Sequence, residues 1–145
     1  MNAKCSEYTN DPKIKLADHR SSYALFINDA RERFRKTQID GCIVNGELAS
    51  DWLLQSEKYG ALIVELKGRN VGHAMDQIMA TIRIVRDKGL AAQNEPLGAL
   101  IVSNCGPKIA TTKFQQTKAA LSRQSIRLTI SSSTRQFFFS DLIRS

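Results

Sequence analysis

The sequence predicts an α/β protein with a mixed central sheet flanked by helices. Three observations carry this. ALIVEL (61–66) and GALIVSN (98–104) are short apolar runs of the kind that form buried strands. Val71 to Lys88, between them, places Val71, Ala74, Met75, Ile78, Met79, Ile82 and Val85 at helical spacing. A strand, a helix and a strand in that order make a crossover, which implies a parallel pair. Upstream, turn signals at Asn45-Gly46 and Gly60 imply an antiparallel meander.

Taken in order, residues 1–19 show no clear period and read as a loosely structured lead-in. SSYALFINDARERFRK (21–36) reads as a helix, because Tyr23, Phe26, Ile27, Ala30 and Phe34 form one apolar stripe and Ser22 can cap it. QIDGCIVNGELASDWLLQSEKYGALIVELKG (38–68) reads as three short strands. The helix over 71–88 is stopped by Gly89. After the strand at 98–104, Pro107 opens a second helical stretch, and SIRLTIS (125–131) is a fifth strand. The tail STRQFFFSDLIRS fits neither pattern. Three adjacent phenylalanines, Phe137 to Phe139, cannot all face one core, so at least one exposed ring is expected, which points to a homodimer surface.

A chain of 145 residues with 42% hydrophobic and 24% charged residues has the composition of one globular domain, 1–145. No apolar run is long enough to span a bilayer, so no membrane partner is expected. MNAKCSEYTNDPK has no apolar signal core, and Cys5, Cys42 and Cys105 lack metal-ligand spacing. The expectation is a cytoplasmic protein with reduced thiols. A net charge of +7 favours a polyanionic partner such as nucleic acid. The RERFRK cluster (31–36) could track a phosphate backbone or form an ordinary solvated helix face. No base-reading element such as a helix-turn-helix or zinc finger is present in the sequence.

The strand 61–67 ends in Glu65-Leu66-Lys67, which puts an acid and a base on one face. Asp51 begins the preceding apolar strand. A hairpin centred near Lys58 would set Asp51 directly opposite Glu65. Two facing carboxylates repel unless a cation lies between them, and Mg²⁺ is bound by one or two carboxylates together with water and phosphate oxygens. Lys67 would then orient an attacking water or stabilise charge on a phosphodiester. The bland reading is that Glu65 and Lys67 are solvated or paired with each other.

Asp51, then Glu65-Leu66-Lys67 after a short hairpin, then a helix, resembles the PD-(D/E)xK nuclease superfamily. The α-β-β-β-α-β order resembles its restriction-endonuclease-like core, which residues 21–104 would cover. The resemblance implies a Mg²⁺-dependent nuclease, with Mn²⁺ able to substitute, that hydrolyses phosphodiester bonds in nucleic acid, DNA ahead of RNA. It implies metal binding by Asp51, Glu65 and the carbonyl of Leu66, with Lys67 serving the nucleophilic water. VELKGRNVGHAMDQI is similar to a branch that places a glutamine on the following helix, here Gln77, with His73 on the same side. Glu32 matches by position a glutamate found on the first helix of many members. Asp40 could also sit near the site, although Asp-Gly more often marks a turn. Ser50 stands where the family has proline. The alternative is a non-catalytic nucleic-acid-binding or assembly subunit with the same fold.

Overall fold

A computed structural model of the chain describes residues 3–18, 22–66, 70–103, 111–132 and 134–143. After a 3-10 turn at Ala3–Cys5 come β1 (Ser6–Thr9), β2 (Lys13–Ala17), β3 (Tyr23–Ile27) and β4 (Phe34–Gln38). They are followed by β5 (Trp52–Ser56), β6 (Gly60–Leu66), α1 (Val71–Asp87) and β7 (Leu97–Val102). The chain continues with α2 (Thr111–Arg123), β8 (Arg127–Ser131), β9 (Gln136–Phe137) and α3 (Ser140–Ile143).

A mixed six-stranded sheet runs β1-β4-β5-β6-β7-β8. β1, β4, β5 and β6 pair antiparallel; β6, β7 and β8 pair parallel. Side-chain alternation gives the sheet two buried faces. Leu53, Ala61, Ile63, Ala99 and Ile101 pack under α1 and α2 in one core. Leu54, Leu62, Val64, Leu66 and Leu100 point the other way, into a second core. That face is covered by α3 and by a three-stranded sheet ordered β2-β3-β9. Gly98 lies where α3 crosses β7, and a Cβ there would overlap the carbonyl oxygen of Leu142.

Several expectations are met. α1 carries the predicted stripe, and Gly89 ends it with φ of 67° while Leu90 N–H bonds the Val85 carbonyl. The hairpin of β5 and β6, the β6-α1-β7 crossover and the strand over 125–131 are present. Phe138 is exposed, while Phe137 and Phe139 are buried.

Others are corrected. The helix expected over 21–36 is, from residue 22 on, β3, a turn and β4. Buried and half-exposed residues alternate along β3, so strand period wins over helical spacing. Arg31 takes a φ of 52° that no α-helix tolerates, and Asn28 closes the turn by bonding the Asp11 and Glu32 carbonyls. The lead-in is also structured, because β1 joins β4 and β2 joins β3. Residues 39–51 form a loop rather than a strand and tight hairpin, with Asn45-Gly46 at its midpoint and Ile39, Val44 and Ala49 buried. Cys5 and Cys42 are joined in a disulfide rather than reduced, their Cα atoms 5.6 Å apart. Among the described residues no helix is long and apolar enough to cross a membrane.

Candidate active site

β5 and β6 pair in the register the hairpin predicts. Trp52 faces Val64 and Ser56 faces Gly60, so the next position along brings Asp51 opposite Glu65. Both lie on the α1 side of the sheet, sharing the parity of Leu53 and Ile63. Each carboxylate holds a main-chain amide across the hairpin. Leu66 N–H donates to Asp51 Oδ2 at 2.8 Å, and Asp51 N–H donates to Glu65 Oε1 at 3.2 Å. Glu65 is 1% exposed, which is costly for an acid and requires compensating polar contacts.

α1 supplies the polar wall behind this pair. Gln77 is buried on its inward face and donates from Nε2 to the Ala49 carbonyl at 2.9 Å. One turn on, Thr81 Oγ1 donates to the Gln77 carbonyl and accepts the N–H of Ser50 at 2.7 Å. A proline at position 50 would have no N–H to give. Two buried polar atoms here have no partner among the described residues, Gln77 Oε1 and Ser50 Oγ. Sequence reasoning missed Thr81; a threonine interrupting the apolar stripe of α1 was the available signal.

In front of Asp51 lies a pocket of about 190 Å³, lined also by Asp18, Gln38, Asp40 and Trp52. Asp40 therefore shares a pocket with Asp51, although its own backbone bridges to Val44. Trp52 points to the opposite face, as expected, and donates its Nε1–H to the Ala17 carbonyl at 3.0 Å.

The remaining candidates divide. Lys67 lies outside the described residues. His73 is exposed, unlike Gln77, and its N–H is capped by Asn70 Oδ1 at 2.8 Å. Glu32 sits 3.5 Å from Lys58, in the turn at the far end of the β5–β6 hairpin from Asp51, and does not join the site.

Mg²⁺ and Mn²⁺ suit this donor set. The carboxylates of Asp51 and Glu65 and the carbonyl of Leu66 are hard oxygen ligands. Among the described residues no group of three or more His, Cys, Asp or Glu forms a metal cage. An ion held by two carboxylates would keep positions for water and phosphate, as Mg²⁺ prefers. The orphaned Gln77 Oε1 fits a bound water or an ammonium group.

The chain matches no protein-family model, no curated protein and no solved structure at a significant level.

Proposed function

We propose that the chain is a Mg²⁺-dependent nuclease that hydrolyses phosphodiester bonds, DNA ahead of RNA, on a restriction-endonuclease-like core. The observation that carries this is the juxtaposition of Asp51 and Glu65 across the hairpin, on the face that α1 covers. The β4-β5-β6 meander, α1 and β7 supply the order that such a core needs. Its leading helix has no counterpart among the described residues, where β2 and β3 take its place.

In this reading Asp51, Glu65 and the Leu66 carbonyl would hold the ion. When bound, Mg²⁺ or Mn²⁺ lowers the pKa of a water and offsets charge on the phosphate. The Leu66 amide fixes the Asp51 carboxylate, and the Asp51 amide fixes that of Glu65, so the pair is oriented before substrate arrives. Gln77 Oε1, without a partner among the described residues, would accept a hydrogen bond from the water. Lys67, two residues after Glu65 in the sequence, would stabilise the charge that develops on the phosphate.

The non-catalytic alternative has one observation in its favour. Both carboxylates already accept main-chain bonds, a use that needs no metal. A cleavage assay decides. Labelled single-stranded, duplex and branched DNA, and RNA, are incubated with Mg²⁺, Mn²⁺ or EDTA, beside Glu65→Gln. Glutamine keeps an acceptor for the Asp51 amide and removes the charge, so the variant stays folded. Cutting that needs metal and is lost in Glu65→Gln is the expected result. Equal cutting by both proteins would sink the site assignment, and binding without cutting would establish the alternative.

A further inference from the structure

The positive charge of this chain is concentrated. Residues 96–140 contain six basic side chains, Lys108, Lys113, Lys118, Arg123, Arg127 and Arg135, and no acidic one. Subtracting those six from 21 leaves fifteen basic residues elsewhere against all 14 acids, so nearly the whole net charge of +7 lies in this stretch.

The fold sets Lys118 and Arg127 of this stretch along one sheet edge. β8 is the last strand of the six-stranded sheet, with β7 on one side. An edge strand presents main-chain N–H and C=O groups outward. Between β8 and α2 lies a groove of about 880 Å³ whose polar lining is Lys118, Ser122, Ser125, Arg127 and Thr129. Lys118, Ser122, Ser125 and Arg127 are exposed. Among the described residues no carboxylate pairs with Lys118, Arg123 or Arg127.

The RERFRK cluster differs, because three of its four basic side chains have local partners. Lys36 pairs with Glu7 at 3.0 Å, and Arg33 stacks 3.8 Å from the Tyr8 ring centre. Arg35 donates to Gln55 Oε1 and the Leu90 carbonyl.

The groove also has a direction: Ile130, at one end of its lining, is level with Ile101 on β7 and through it with Glu65 on β6. Lys113, near the start of α2, bonds Asp76 on α1 at 3.0 Å. That end of α2 therefore lies beside the first turns of α1, at the end of the sheet where β6 terminates in Glu65 and Leu66. From Arg127 to Ile130 the strand that lines it spans about 10 Å, the axial rise of roughly three base pairs of a duplex.

We propose that the α2–β8 groove holds the phosphodiester backbone of a nucleic acid and leads it toward the Asp51–Glu65 end of the sheet. Lys, Arg, Ser and Thr side chains and main-chain N–H groups are the donors that position phosphates without reading bases. A phosphodiester is favoured over an acidic peptide because the groove runs toward the proposed hydrolytic site. To that extent the inference rests on the proposed function.

Its test uses EDTA, where cutting plays no part. Fluorescence anisotropy of short labelled single-stranded and duplex DNA is measured against salt. Lys118→Glu/Arg127→Glu is expected to weaken binding at least about tenfold and to lower the salt slope by about two. Arg31→Glu/Arg33→Glu makes the same charge change in the other cluster and is expected to change affinity less than about threefold. Glu65→Gln should bind no more weakly than the wild type, because it removes a negative charge beside the phosphates, and this separates failed cutting from failed binding. Should the double glutamate variant not fold, Lys118→Gln/Arg127→Gln decides, with a smaller loss in the same direction. Equal losses in the two clusters would overturn the groove and leave only net charge. Displacement of DNA by poly-glutamate more readily than by unlabelled DNA would assign it to an acidic protein partner.

Discussion

Asp51 has two uses that substitution can separate. Its carboxylate accepts the Leu66 amide, and its charge would help hold the ion. Asp51→Asn keeps an acceptor and is expected to melt close to the wild type while losing metal-dependent cutting. Asp51→Ala leaves the amide without its partner and should cost about 1–3 kcal/mol in urea unfolding. Equal stability of the two variants would show that the Leu66 bond contributes nothing. Thr81 makes the same kind of argument without the chemistry. Thr81→Val removes the acceptor of the buried Ser50 amide, and a loss of about 1–3 kcal/mol is expected with metal binding intact. Asp51 and Glu65 could be chosen from the sequence because the hairpin spacing sets them opposite each other, whereas Gln77 came only from the family resemblance. Thr81 was marked in the sequence only by interrupting the apolar stripe, since its role depends on where the Ala49–Ser50 loop arrives.

At the level of elements, the disulfide offers the clearest measurement. It joins residues 37 apart in sequence and ties the start of β1 to the loop that delivers Asp51. Cross-linking stabilises chiefly by restricting the unfolded chain, so reduction should lower stability by about 2–4 kcal/mol. The denaturation midpoint with and without reductant reads this directly. An unchanged midpoint would mean the tether does not form. Cutting assays belong under both conditions, because a cytosol would keep these thiols reduced. α3 rests on β7 through Gly98, and Gly98→Ala should destabilise the protein by forcing α3 away. β3 shows why short elements are hard to read. Tyr23, Phe26 and Ile27 satisfy a helical stripe and a strand equally over five residues. Pairing with β2 and β9 settles the choice.

For the whole molecule, both hydrophobic cores share β5, β6 and β7 as a common wall. Losing either core exposes the other through the same strands. Thermal unfolding should therefore be a single transition, with calorimetric and van't Hoff enthalpies equal. Two resolved transitions would mean that the small β2-β3-β9 sheet opens by itself.

The sequence by itself determined the β5–β6 hairpin register, the crossover through α1 and the candidate acids, because these follow from local periodicity and turn position. Tertiary structure alone decided the rest. It set β2 and β3 as a second layer where a helix was expected, joined Cys5 to Cys42, and drew Lys118 of α2 and Arg127 of β8 into one groove. The physical reason is the same each time. A local pattern fixes which side of an element is apolar, but only packing against distant segments fixes what covers that side and which charges are left facing solvent.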